Sequence, residues 1–263
     1  GIKMLQLSKR YRAGKPRMLR LLDDMAASGE IHRTWYLTPE GCDTLRVAQL
    51  PSAGLDFTDP QDKKVGWVLG QVEDTETGLV VFLGDERVVA VAPPFPVAAD
   101  AVHDGTEKSR LAGLLDEDFL IGLVLLRLGR YAVGVMRGER LLASKTGSRY
   151  VKNRHRAGGS SQRRFERSRE RLVRELYDKA CSVTQDVFAP YHDRLEFILM
   201  GGERHTLQGF VRRCDYLEAL AGKTLSRHLE MDRPGQAALD GIAREVWRSR
   251  VMVFSPEGEA NVS

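Results

Sequence analysis

A short glycine-serine segment ends in a single glutamine, and arginines crowd it on both sides within RHRAGGSSQRRFER at 154–167. Glycine lets a backbone approach a ligand closely. A glutamine amide donates and accepts hydrogen bonds but is not a strong base, so it suits the positioning of a water molecule. The serines precede a helical pattern and could cap it. The candidate catalytic residues are therefore Gly158, Gly159, Ser160, Ser161 and Gln162.

Basic residues concentrate around this segment, although the whole chain carries a formal charge of only +4. The candidate RNA-binding residues are Lys145, Arg149, Lys152, Arg154, His155, Arg156, Arg163, Arg164, Arg167 and Arg171. A second basic cluster opens the chain and contains Lys3, Lys9, Arg10, Arg12, Lys15, Arg17 and Arg20. Two such zones on a nearly balanced protein indicate a polyanionic partner such as RNA.

The basic residues of the second half have an alternative explanation. Glu166, Glu170 and Glu175 are spaced for ordinary helix-surface pairs with Arg169, Arg174 and Lys179, respectively. The positive residues nevertheless outnumber these partners, which favours RNA contact.

Composition argues against membrane-spanning, secreted, zinc-binding and disulfide-rich classes of protein. No apolar run approaches the roughly 18 residues that a membrane span needs, and no signal peptide is recognisable at the start, so we expect a cytoplasmic monomer. Cys42, Cys181 and Cys214 are far apart and lack CxxC spacing. They are predicted to be buried thiols, without structural zinc or a disulfide framework. No metal or cofactor is expected.

Periodicity predicts an α/β (α+β) chain with an N-terminal domain at 1–117, a second domain at 118–256 and a tail at 257–263. The first domain is expected to contain a mixed sheet. Its predicted helices are 17–28 and 108–115, and its predicted strands are 34–37, 65–72, 78–83 and 87–92. The last two strands are expected to form a hairpin at Gly84-Asp85-Glu86.

The second domain is predicted to be a mixed sheet flanked by helices, of RNase H-like type. Three antiparallel strands open it, at 119–126, 131–136 and 140–144, and a long helix follows at 161–188. Further strands are expected at 195–200, 225–229 and 251–254, and further helices at 206–221 and 236–248.

This second domain resembles the central, ester-hydrolysing domain of the class-1 translation termination factors of eukaryotes and archaea. The residues that carry the resemblance are FLIGLVLL at 119–126, GGSSQ at 158–162, RRFERSRERLVREL at 163–176 and RLEFILMGG at 194–202. The N-terminal domain is similar to that family's first domain, most visibly in TGLVVFLGDE at 77–86 and APPFPV at 92–97.

The sequence also departs from that family. Two serines separate the glycines from the glutamine, giving GGSSQ in place of GGQ, and nothing in residues 1–60 is similar to the codon-reading TASNIKS segment. No third domain for docking a partner GTPase is found. The chain therefore resembles the release-factor-like peptidyl-tRNA hydrolases of ribosome quality control, the group that includes the ankyrin-repeat and zinc-finger tRNA hydrolase. A compact bacterial relative, of actinobacterial origin, is the expected member.

The resemblance implies hydrolysis of the ester between a nascent peptide and tRNA on the large ribosomal subunit, with Gln162 positioning the water. Ribosomal RNA and peptidyl-tRNA are the implied partners. One alternative is a noncatalytic ribosome- or tRNA-binding rescue factor, which would not require Gln162. A metal-dependent nuclease is a weaker alternative because it needs clustered carboxylates, and the strand at 119–126 contains none.

Overall fold

The computed structural model describes residues 5–48, 60–151 and 160–256. The chain divides into two compact units, one of Gly1–Glu117 with Trp247–Ser263 and the other of Asp118–Val246. Both combine a β-sheet with packed helices, which confirms the predicted α+β class. No helix in the described ranges is both long and apolar enough to span a bilayer.

The described strands follow in chain order: β1 (Leu5–Ala13), β2 (Ile31–Leu37), β3 (Leu79–Gly84), β4 (Val88–Ala92), β5 (Ala101–Asp104), β6 (Leu120–Arg127), β7 (Arg130–Arg137), β8 (Arg140–Ser148), β9 (Phe197–Gly202), β10 (Thr224–Leu229) and β11 (Ser249–Pro256). The described α-helices are α1 (Lys15–Ser28), α2 (Pro39–Ala48), α3 (Lys63–Gln71), α4 (Ser109–Leu115), α5 (Ser160–Phe188), α6 (Arg204–Arg213), α7 (Asp215–Glu218), α8 (Gln236–Gly241) and α9 (Ala243–Val246).

The first unit is built on a six-stranded sheet in the order β1-β11-β4-β3-β2-β5. Helices α1 and α4 cover one face of the sheet, and α2 and α3 cover the other. Every neighbouring pair is antiparallel, so the prediction of a mixed sheet in this domain was wrong. Strands β1 and β2, which α1 connects, are separated by three other strands and never pair.

Two further predictions in this unit were wrong. The segment 65–72 was predicted as a strand, but it belongs to α3, where Val65, Val68 and Leu69 are buried at helical spacing. The strand at 251–254 was assigned to the second domain, with its boundary at 256. It lies in β11 of the first sheet, where it pairs with β1 and β4.

The second unit is built on a five-stranded sheet in the order β10-β9-β6-β7-β8. Strands β6, β7 and β8 are antiparallel, whereas β9 runs parallel to β6 and β10 runs parallel to β9. This is the predicted mixed sheet. Helix α5 packs on one face with α6 and α7. Helix α8 covers the other face, where Leu239 lies near Gly134.

Candidate functional site

Helix α5 carries the candidate site beyond the core of the second unit. Its C-terminal half buries Leu176, Ala180 and Val183, at the i, i+4, i+7 spacing that places side chains on one face. By contrast, no residue of 161–175 is buried. At about 1.5 Å of rise per residue, this half of the helix extends about 22 Å. Its arginines are exposed or only partly buried, and Gln162 is itself partly buried, so the glutamine lies outside the packed core.

Gln162 lies in the first turn of α5, one turn before Glu166. Its amide Nε2 donates a hydrogen bond of 3.0 Å to Glu166 Oε1. The predicted helix begins at 161, and α5 begins one residue earlier, at Ser160, so Ser161 and Gln162 are both helical. The two serines were expected to precede and cap the helix, but they are its first two residues. Gly158 and Gly159 lie outside the described residues.

Glu166 was missed as a candidate site residue. Sequence reasoning paired it with Arg169 as an ordinary surface contact. The signal was present, because Gln162 and Glu166 are separated by four residues, and side chains at i and i+4 of a helix are neighbours. The hydrogen bond engages the nitrogen end of the glutamine amide and leaves its oxygen as the acceptor.

The predicted RNA-binding residues that the structure describes are solvent-exposed: Lys145 and Arg149 at and just after β8, and Arg163, Arg164, Arg167 and Arg171 on α5. Lys152, Arg154, His155 and Arg156 lie outside the described residues. The guanidinium groups of Arg163, Arg164 and Arg167 form no salt bridge with any residue of the described ranges. Their charges are therefore not neutralised locally.

Glu175 of α5 forms ion pairs with two of the predicted RNA-binding arginines, one just after β8 and one on α5. Its carboxylate lies 3.8 Å from Arg149 and 3.8 Å from Arg171. Sequence spacing had paired it with Lys179 instead. Exposed pairs of this kind contribute about 0–1 kcal/mol to stability. The main effect of the contact is therefore to position the Arg149 side chain beside α5.

Strand β8, which precedes the glycine-serine segment, packs closely against β7 through a tyrosine side chain that lies over a glycine. Tyr131 of β7 lies directly opposite Gly147 of β8. A Cβ atom at position 147 would come within 2.2 Å of the Tyr131 hydroxyl. Just beyond, the backbone N–H of Arg149 donates to Gly129 O at 2.8 Å. The strand that precedes the glycine-serine segment is thus anchored to the sheet as far as Arg149.

A disulfide bond links Cys181 of α5 to Cys214, which follows α6. The prediction of three unpaired thiols was therefore wrong for these two residues, whereas Cys42 is free and buried as expected. Beside the disulfide, Asp178 accepts two hydrogen bonds from Arg213, of 2.6 and 2.9 Å. This guanidinium holds the pKa of Asp178 below its ordinary value. Both contacts fasten α6 to the buried half of α5.

Groups of three or more His, Cys, Asp or Glu side chains that could hold a metal ion do not occur in the described part of the chain.

Comparison with known proteins decides the family. The model of the Actinobacteria/chloroflexi VLRF1 release factors matches residues 120–252, which is half of the chain. The chain belongs to this family. The matched residues include Gln162, Glu166 and the exposed arginines of α5.

Curated relatives are archaeal peptide chain release factor subunit 1 proteins. That of Archaeoglobus fulgidus is 33% identical over 138 residues, covering 51% of this chain and 34% of the relative. That of Methanopyrus kandleri is 29% identical over 232 residues, covering 80% of this chain and 56% of the relative. The chain thus spans between a third and three-fifths of the length of these relatives. The predicted membership of the class-1 release factor superfamily is confirmed.

Among solved structures, that of an archaeal translation termination factor is 18% identical to this chain. The match covers 89% of this chain and 70% of that protein, with a TM-score of 0.40.

Proposed function

We propose that this release factor is a codon-independent peptidyl-tRNA hydrolase that frees nascent chains from stalled large ribosomal subunits. The observation that carries the proposal is the position of Gln162 at the start of α5, ahead of a solvent-exposed helical segment with uncompensated arginines. Membership of a release factor family supports a role in translation termination or rescue. We place the chain beside the quality-control hydrolases because its sequence is not similar to the codon-reading segment.

The proposed reaction is attack of water on the ester carbonyl carbon. A bond forms between the water oxygen and that carbon, the bond from carbon to the tRNA ribose oxygen breaks, and a proton passes to the departing ribose. The Gln162 amide oxygen accepts a hydrogen bond from the water and orients it. Positioning of this kind lowers the barrier without requiring a strong base.

The helix start offers a second contribution. Gln162 lies among the first four residues of α5, whose backbone N–H groups have no partner within the helix. Such a group can donate to the oxygen of the ester carbonyl as negative charge develops there, assisted by the positive end of the helix dipole. The arginines of the same turns would contact RNA phosphates and keep the glutamine close to the ester.

The alternative is a noncatalytic rescue factor that occupies the ribosome through the same basic surface. The specific observation in its favour is that the exposed Arg163, Arg164 and Arg167 have no salt-bridge partner in the described ranges and could bind RNA without any contribution from Gln162. Binding would then depend on the arginines and not on the glutamine.

Purified large subunits that carry peptidyl-tRNA but no messenger RNA separate the two functions. Peptide release and co-sedimentation of the protein are measured on the same sample. The hydrolase proposal predicts release in the absence of any codon, and no acceleration when a stop codon is supplied on intact ribosomes. Co-sedimentation without release would support the noncatalytic alternative, and release only with a stop codon would overturn codon independence.

A further inference from the structure

A basic groove in the first unit plays no part in the proposed hydrolysis. It lies between the outer strands of the sheet and α1, and its volume is about 810 Å³. Lys9 and Tyr11 of β1 and Arg17 and Leu21 of α1 line it, and Val89 of β4 lies at its apolar base.

The groove wall contains an arginine stacked on an aromatic ring. The Arg17 guanidinium lies 4.2 Å from the centroid of the Tyr11 ring, within the range of a cation–π contact. Tyr11 itself packs against the apolar cluster beneath α1. Its ring is thereby anchored on one side, and it holds a planar cation at the edge of the groove.

The charge of the groove is mostly uncompensated. Lys9, Arg10 and Arg17 line the groove and are exposed, and none of the three forms a salt bridge with a residue that the structure describes. Two carboxylates also line the groove, and both are engaged: Glu30 is bonded to Arg87, and Glu86 has a contact of its own. The surface therefore attracts anions.

Protection of an edge strand accounts for only part of this charge. Strand β1 is the outer strand of its sheet, and cations on such strands discourage pairing with other chains. That purpose explains Lys9 and Arg10. It does not explain Arg17, which lies on a helix and is positioned over the Tyr11 ring.

We propose that this groove is a second RNA-binding site, separate from the basic surface of α5. Lys9, Arg10 and Arg17 contact phosphates, and the planar Arg17–Tyr11 stack with its apolar base receives a nucleobase. Guanidinium groups match phosphate geometry, and bases stack on aromatic and guanidinium planes. The apolar base and planar stack favour RNA over an acidic peptide. The inference rests on the proposed function in that ribosomal RNA or tRNA supplies the ligand.

A charge-matched pair of variants tests the site. Lys9→Glu/Arg17→Glu alters the groove, and Lys63→Glu/Arg110→Glu makes the same change in net charge elsewhere in the unit. Lys63 is exposed on α3. Arg110 is a close control for Arg17 because it also lies over a tyrosine, 6.0 Å from the ring of Tyr36. Thermal melting of both variants verifies that each remains folded.

Binding of the whole labelled protein is measured over a range of salt concentrations, with free tRNA and with large subunits carrying peptidyl-tRNA. The groove variant should bind at least one of these probes about 10-fold more weakly than the control variant. Its plot of log affinity against log salt should be less steep by about 1–2, as expected for the loss of one or two phosphate contacts. The probe that responds identifies the source of the RNA.

Peptide release at saturating protein is recorded separately, so the two proposals can fail independently. Selective loss of binding by the groove variant supports the site even if the parent protein releases no peptide. Equal weakening of the two variants would overturn it, as would absence of binding to both probes. Displacement of the RNA by polyglutamate as effectively as by polyuridylate of the same charge would also overturn it, because that would indicate a general acidic ligand.

Discussion

The Gln162 amide and the Glu166 carboxylate are joined by a hydrogen bond of 3.0 Å across one turn of α5. Both side chains lie in the half of the helix that buries nothing, so the bond contributes little to folding. Its consequence is directional. A carboxylate can only accept, so it engages the nitrogen end of the amide and leaves the amide oxygen as the acceptor. That oxygen is the atom that our proposed mechanism requires for orienting water.

Replacing Glu166 by alanine should therefore slow peptide release. Without its acceptor, the Gln162 amide samples more rotamers, and we expect a single-turnover rate about 10-fold lower at saturating protein. Glu170→Ala is the matched control, since it removes the same charge one turn further along the helix. Both variants should bind RNA slightly more tightly. Equal release rates for the two would show that Glu166 does not orient the glutamine.

Neutralising the exposed arginines of α5 should weaken binding without slowing the chemical step. Arg164→Gln and Arg167→Gln should each lower affinity for peptidyl-tRNA-bearing subunits and reduce the salt slope by about 1. Arg244→Gln, at an exposed position of α9 in the same unit, serves as the control. The release rate at saturation should equal that of the parent. An unchanged salt slope in both α5 variants would contradict the assignment of this surface to RNA.

Local patterns were sufficient for most elements of the second unit. The predicted helix at 161–188 differs from α5 by one residue, because Phe165, Leu172, Leu176 and Ala180 recur at helical spacing. The error at 65–72 has a local cause. Its valines and leucine favour a strand by type, and only the burial of Val65, Val68 and Leu69 on one face distinguishes a short helix.

Long-range contacts could not be read from the sequence. Strand β11 pairs with β1 near the opposite end of the chain, with Val251 opposite Tyr11, and no local signal indicates that partner. Cys181 and Cys214 are 33 residues apart, yet their Cα atoms are 5.5 Å apart because α5 and α6 are packed together. The candidate glutamine and its arginines were identifiable from residue type. The four-residue spacing of Gln162 and Glu166 was visible too, but their hydrogen bond was recognised only in the structure.

Breaking the Cys181–Cys214 disulfide should destabilise the second unit. The bond closes a loop across a 33-residue separation, and reduction should lower the free energy of unfolding by about 2–4 kcal/mol. Chemical denaturation of the oxidised protein and of Cys181→Ser/Cys214→Ser measures the difference. Thiol titration of the unreduced, denatured protein should find one free thiol, and a count of three would contradict the disulfide.

Cys42 should be unreactive in the native protein. Burial raises the pKa of its thiol from 9.0 to about 12, so the nucleophilic thiolate is scarce near neutral pH. Because the folded pKa is the higher one, the stability it contributes is fully present below pH 9.0 and is lost as the pH rises through about 12. An aromatic disulfide reagent at pH 8 should modify Cys42 only after unfolding. Rapid stoichiometric labelling of the native oxidised protein would contradict this.

The most direct test of the account is the single-turnover rate of peptide release by Gln162→Ala, at saturating protein, from large subunits carrying peptidyl-tRNA. If Gln162 positions the attacking water, the rate should fall about 100-fold or more relative to the parent. Affinity for the subunits should stay unchanged, since the arginines are intact. Release at the parental rate by Gln162→Ala would contradict the central claim, because the chemistry would then not depend on the glutamine.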